Sequence, residues 1–292
     1  MEMNGYTFVK GCRDNADLRG SFNTLAAQVF GINFESWYNK GFWTDKYEPY
    51  SFLDGDKVIA NVSVNRINMM VEGERKRAVQ LGTVMTHKDY RGKGLSGALM
   101  RKVLEDYQYV DAMYLFANST VLDFYPKFGF HAVEEQQPVM KLAGGGEGVL
   151  LNKLDGQKEE DIRFIFQCAE KRIPLTRRFT TTDAAELLMF YCTYVFPQNI
   201  FFWPEEEMII LMDVEGETLH IFDIITSKEV DLQAAAAKIA PPEVRKVNFH
   251  FTVPTGSQIT TEAFRGDEVL FVKPSKEFVL PENFKHPITS QA

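Results

Sequence analysis

The feature that most constrains this chain is the stretch Gly92-Lys93-Gly94-Leu95-Ser96-Gly97, three glycines set between a β-branched run and an amphipathic segment. Upstream, Val79 to Thr86 reads as a strand. Downstream, Leu95, Leu99, Val103, Leu104 and Tyr107 recur at helical spacing. Glycines at a strand-to-helix turn let the main chain come close to a ligand. The first helical N–H groups then point outward at the positive end of the helix dipole. Arg91 and Lys93 add charge at the same place, so the local reading is a cradle for a pyrophosphate. Gly92-x-Gly94-x-x-Gly97 also fits the dinucleotide fingerprint literally, with Asp111 about 20 residues on. A dinucleotide fold, however, places its glycines directly after the first strand. Here the polar segment His87–Arg91 intervenes and hairpins precede it. The Walker pattern is absent, because no Gly-Lys-Ser/Thr occurs.

The residues instead resemble the acyl-CoA signature of the GNAT superfamily of N-acetyltransferases, Arg/Gln-x-x-Gly-x-Gly/Ala after a strand. Arg91 to Ser96 follows that pattern, with Ser96 where the family has Gly or Ala, and His87-Lys88-Asp89-Tyr90 looks like its His-Pro-Glu-Tyr lead-in. A second block, Tyr114 to Asn118 and then Phe124-Tyr125-Pro126-Lys127-Phe128-Gly129-Phe130, resembles the superfamily's later strand–helix–turn motif. The resemblance spans roughly residues 5–140. It implies an α/β (α+β) fold: a mixed, mostly antiparallel sheet flanked by helices, in the order β-α-β-β-β-α-β-α-β. It also implies acetyl-CoA as cofactor. Arg91, Gly92, Lys93, Gly94, Leu95, Ser96 and Gly97 would hold the diphosphate. The main chain of Val84, Met85 and Thr86, together with Asn118, would hold the pantetheine arm, and Tyr125 would be the general acid.

The local signals agree. Asp14 or Asn15 is expected to cap a helix carrying Leu18, Phe22, Leu25, Ala26 and Val29, with Gly31 as its stop. Asp54-Gly55-Asp56 and Glu72-Gly73 divide the next segment into hairpin strands. Ser119 or Thr120 is expected to cap a short helix running to Lys127. Between the first helix and the hairpins lie Phe34, Trp37, Tyr38, Phe42, Trp43, Tyr47 and Tyr50, with Glu35, Asp45 and Glu48 among them. This segment reads either as packing against the sheet or as the wall of an acceptor pocket, in which Glu35, Trp37 and Trp43 would bind an amine.

A base is harder to place. Many relatives carry a glutamate on the strand before the loop, and by spacing that position falls near Gln80, which cannot serve. His87, Glu35, Glu48, a water, or a carboxylate at Ala292 remain open.

Residues 143–148 (AGGGEG) form the clearest shift in composition and are expected to link domain 1–142 to a smaller α/β domain at 149–292. The second part repeats hairpin, helix and strand faintly. Its counterpart of the glycine loop, Thr226 to Val230, has no glycine and carries Glu229. It therefore reads as a degenerate GNAT-like domain without a cofactor. Such a tandem is similar to the enhanced-intracellular-survival acetyltransferases, whose extra C-terminal domain this length does not accommodate.

A net charge of −8 disfavours nucleic acid as a partner. Cys12, Cys168 and Cys192 are few, widely spaced and odd in number, as in a reduced, cytoplasmic protein. No signal peptide, membrane span or metal-ligand spacing is seen. The expectation is an N-acetyltransferase acting on an amine of a small molecule or peptide by direct attack in a ternary complex. The alternative is a catalytically silent acyl-CoA sensor. The sequence leaves the acceptor and the oligomeric state open.

Overall fold

The structure, a computed structural model, describes residues 2–3, 5–146, 148–254 and 259–292, with only the main chain for Glu2 and Met3. The chain begins β1 (Glu2–Met3), β2 (Tyr6–Lys10), α1 (Ala16–Phe30) and α2 (Glu35–Asn39). Three long strands follow: β3 (Tyr47–Asp54), β4 (Lys57–Val71) and β5 (Glu74–Thr86). Then come α3 (Leu95–Asp106), β6 (Ala112–Asn118), β7 (His131–Val133) and β8 (Gln136–Lys141). The later part comprises β9 (Asn152–Leu154), α4 (Glu159–Glu170), β10 (Phe179–Thr182), α5 (Ala185–Phe190), β11 (Ile200–Trp203), β12 (Met208–Glu215) and β13 (Thr218–Ile225). It ends with α6 (Leu232–Ile239), β14 (Lys246–Phe249), β15 (Ile259–Ala263) and β16 (Glu268–Pro274).

Local chemistry accounts for several boundaries. The Asn15 side chain accepts from Asp17 N and Leu18 N to start α1, and Gly31 ends it in the left-handed conformation at φ 71°. The expected helix from residue 119 to Lys127 does not form. Asn118 Oδ1 instead accepts from both the N–H and the hydroxyl of Thr120, holding a turn. Only the 3₁₀ segment Tyr125–Phe128 is helical. Its Pro126 has no N–H to donate.

Two sheets result. The first runs β1-β2-β3-β4-β5-β6-β16-β7, with β10 also paired to β4; the second runs β15-β8-β14-β13-β12-β11-β9. Strands are exchanged between the two parts of the chain. β8, from before the glycine run, pairs with β14 and β15 in the second sheet. β16, from near the end of the chain, inserts between β6 and β7 in the first. The glycine run itself is a loop packed on the end of α6: Gly146 N donates to Ala240 O, and a Cβ at Gly145 would fall 1.7 Å from Pro241 O.

Helix α3 covers one face of the first sheet through Leu95, Leu99 and Val103. On the other face α1 and α2 share one apolar core with α4, α5 and the near face of the second sheet, and α6 covers that sheet's far face. Phe42 meets Phe166 at 5.0 Å between ring centroids, and Phe34 stacks on Phe190 at 5.7 Å. Aromatic pairs at such distances add to the burial energy across this seam. No helix among the described residues is long and apolar enough to cross a membrane.

Candidate active site

The site begins where β5 and β6 part. They run parallel from Ala78–Leu81 against Ala112–Leu115, and no further. Just beyond, β5 bulges against β4, and Thr83 takes φ 46°, a costly value for a β-branched residue. The Asn61 side chain holds the Thr83 carbonyl at 2.9 Å, and the Tyr47 hydroxyl meets the Thr83 hydroxyl. The parting leaves β5 polar main-chain groups on the β6 side free to meet a ligand, as they would be along an edge strand.

A cavity of about 780 Å³ opens there. Val84, Met85, Thr86 and Asn118 line it, as do Arg91 and Ser96 from the glycine loop. Gly92 and Gly94 both have φ 76°, which L side chains rarely adopt. Gly94 is the N-cap of α3, no side chain caps that helix, and its first turn carries no acid. These are the requirements for binding a diphosphate at a helix N-terminus. Gly92, Lys93 and Gly94 form the turn and, with Gly97, lie outside the cavity lining, and Leu95 anchors α3 in the core. The Lys93 ammonium donates to the Tyr6 hydroxyl at 2.9 Å. Ser96 Oγ lies 2.6 Å from Thr86 Oγ1, tying the loop to the strand. His87, one of the candidate bases, is buried outside the cavity lining and accepts from Asp89 N.

Tyr125 lines the cavity from the 3₁₀ segment. Burial, with the nearby Glu268 charge, pushes its phenol up to about 12. It therefore stays protonated at neutral pH and retains a proton to give. Phe34, Trp37, Tyr47, Phe190 and Tyr191 form an aromatic wall drawn from both parts of the chain. The Trp37 indole donates to Glu186 O at 2.9 Å.

Of the expected acceptor residues, Trp37 is in the lining. Trp43 is buried behind it and donates to Tyr47 O, while Glu35 forms an ion pair with Arg19 at 3.0 Å. Asp45 and Glu48 are likewise taken up, by Arg66 and by Lys10. Gln80 is buried in the sheet and donates to Ser290 O.

Sequence reasoning missed Tyr191, Glu268 and Gln291, and named Ala292 only as one possible base. Tyr191 follows α5, Glu268 opens β16, and the tail residues Gln291 and Ala292 complete the lining. Gly82 is small because the tail lies on it: a Cβ there would be 2.8 Å from the Ala292 carbonyl carbon. Burial, then Asp267, raises the Glu268 carboxyl above its ordinary range. The local signal for Glu268 was an acid at the start of an apolar run, but its destination depended on the strand exchange.

A sheet that parts around a cleft beside a glycine loop is the arrangement that the resemblance to the GNAT superfamily implied. Residues 15–133 match the family model described as the acetyltransferase (GNAT) domain. That match covers less than half of the chain's length. No curated protein matches the chain by sequence.

Among solved structures, a probable N-acyltransferase from Enterococcus faecalis V583 is similar at 15% identity, with a TM-score of 0.59 over 91% of this chain and 72% of that one. A GCN5-related N-acetyltransferase from Kribbella flavida matches at 16% identity and TM-score 0.56, over 91% and 71%. Eis1 from Mycobacterium abscessus matches at 12% and 0.57, over 88% and 71%. At these identities the likeness establishes a common fold across both sheets.

Proposed function

We propose that the protein transfers an acetyl group from acetyl-CoA to an amine of a small molecule or peptide, by direct attack while both are bound. One observation carries this reading. A single cavity joins Arg91 and Ser96 of the glycine loop, the parted ends of β5 and β6, Tyr125 and the aromatic wall. The donors at the N-terminus of α3 fit a diphosphate, and the main chain of residues 84–86 fits the amides of a pantetheine arm. The coenzyme would supply the activated acyl group.

The residues of this chain have three tasks. Main-chain N–H groups beside the bulge would stabilise charge on the thioester oxygen. Tyr125 gives its proton to the departing thiolate. The aromatic wall takes the acceptor's apolar body and excludes water, which favours the neutral amine.

In this reading residues 149–292 are a GNAT-like unit without a coenzyme site of their own. They shape the acceptor end through Leu187, Phe190 and Tyr191. The helix that answers to α3 supports this, because its N-terminus is already closed by Asp231.

Thiol release from acetyl-CoA, measured over a panel of amines beside Tyr125→Phe, tests the proposal. Turnover that falls about 100-fold or more in the variant with coenzyme affinity kept supports it. Tight coenzyme binding with no turnover on any amine would favour the sensor, a reading to which Gln80 at the expected base position lends weight. Protection against thermal unfolding by NADH and not by CoA would overturn both.

A further inference from the structure

An alkylammonium with pKa near 10.4 is only about 1 part in 2,500 neutral at pH 7, so direct attack needs a proton acceptor. The cavity narrows the choice. Among its described lining residues two side chains belong to the charged types, Arg91 on the glycine loop and Glu268, while the carboxylate considered at Ala292 sits in the tail packed against Gly82 of β5. The carboxylates set among the aromatic residues of the first part are all paired elsewhere.

Glu268 lies opposite Asn118 in the β16–β6 register, at the open ends of the strands. Its charge raises the phenols of both Tyr125 and Tyr191, in each case second to burial. The carboxylate is thus sensed by the residue at the thioester end and by the residue at the acceptor end. Tyr191 is itself engaged, donating to Gln291 O at 2.8 Å.

We infer that Glu268, carried into the first sheet on the exchanged strand β16, is the catalytic base that receives the acceptor's ammonium and takes its proton. The inference rests on the acyl-transfer reading above. It goes beyond it in assigning the base and in making the acceptor a cationic amine on an apolar body.

The step balances as follows. The ammonium gives one proton to the Glu268 carboxylate. The freed nitrogen lone pair forms the C–N bond to the acyl carbon, the C–S bond breaks, and the thiolate takes the Tyr125 proton. The second nitrogen proton, acidic once the amide forms, restores the phenol, and Glu268 returns its own proton to water. The titratable and charged groups that share the cavity with Glu268 are Tyr47, Arg91, Tyr125, Tyr191 and the tail at Ala292, with Asp267 next in the chain. Burial and Asp267 hold its carboxyl above the ordinary range, toward the pH at which a base is most effective.

The test is kcat/KM for wild type, Glu268→Gln and Glu268→Asp from about pH 6 to about pH 9, with acetyl-CoA affinity and thermal unfolding measured beside it. Glu268 opens its strand with its side chain partly in solvent, so the variants are expected to fold. The expected result is a fall of about 100- to 10,000-fold for Glu268→Gln at neutral pH, coenzyme affinity unchanged, and partial recovery in Glu268→Asp. The deficit should shrink about tenfold per pH unit, since solvent then deprotonates the amine that Glu268 no longer can. Wild-type turnover with Glu268→Gln within about threefold of it, or a deficit constant across pH, overturns the inference and leaves the acyl-transfer reading standing. A wild type that binds coenzyme and turns over no amine overturns both.

Discussion

The chain contains two strand–loop–helix–strand units with the same outline and opposite chemistry. In the first, β5 leads through the glycine loop to α3 and returns as β6, parallel to β5. In the second, β13 leads to α6 and returns as β14, parallel to β13. The N-terminus of α3 has no side-chain cap and a loop with two left-handed glycines. The N-terminus of α6 is capped by Asp231, which accepts from Gln233 N and Ala234 N. A carboxylate already occupies the place where a phosphate would bind, and Glu229 precedes it.

The clefts differ in the same sense. Beyond the pairing of β5 and β6 there is a cavity. Beyond the pairing of β13 and β14 the protein fills the space itself: Ile288 N donates to His250 O, and the Thr289 hydroxyl donates to Asp223 at 2.6 Å. Arg172 grips the same carboxylate with two bonds, at 2.6 and 2.9 Å. One βαβ unit therefore leaves its helix N-terminus uncapped beside a cavity, and the other uses its polar groups for cohesion. The segment that fills the second cleft continues into Gln291 and Ala292 at the first, so each half completes the other.

Substitutions at matching places should give opposite losses. Arg172→Ala strands a buried carboxylate and is expected to cost about 3–5 kcal/mol of stability. Chemical denaturation checks this, and a loss under about 1 kcal/mol would mean the second cleft is not held as described. Gly94→Val forces a β-branched residue to φ 76° at the mouth of the first cleft. Acetyl-CoA affinity should drop at least about 100-fold, roughly 3 kcal/mol, as read by calorimetry. Gly82→Ala must displace Ala292 and should raise the acceptor KM about tenfold while leaving coenzyme affinity alone. The smallest effect belongs to Asp231→Ala, which removes a cap worth about 1 kcal/mol and should create no coenzyme site. Coenzyme binding gained there would erase the distinction between the two units.

How much of this was legible in the sequence follows from the range of each interaction. The glycine loop, the Asn15 and Gly31 caps of α1, and the hairpin turns are decided by neighbours in the chain. Their residues announced them. Strand partners are not decided so locally. Val139-Met140 and Leu270 to Val272 are short apolar runs that suit either sheet, and only long-range packing assigns β8 to the second and β16 to the first. Glu268 could not be placed without that exchange.

The aromatic segment was read either as packing against the sheet or as the wall of a pocket, and the structure divides it. Trp37 faces the cavity while Trp43 stands behind it. Glu35 looked available because its partner Arg19 lies 16 residues away, about four and a half turns along a helix, but adjacent once α1 and α2 pack.

The most direct measurement is a crystal structure with coenzyme A bound. The diphosphate should lie on the main-chain N–H groups at the start of α3, with the pantetheine arm between β5 and β6 and its sulfur beside Tyr125. Coenzyme seated at the start of α6, or elsewhere with the glycine loop unengaged, would contradict the account.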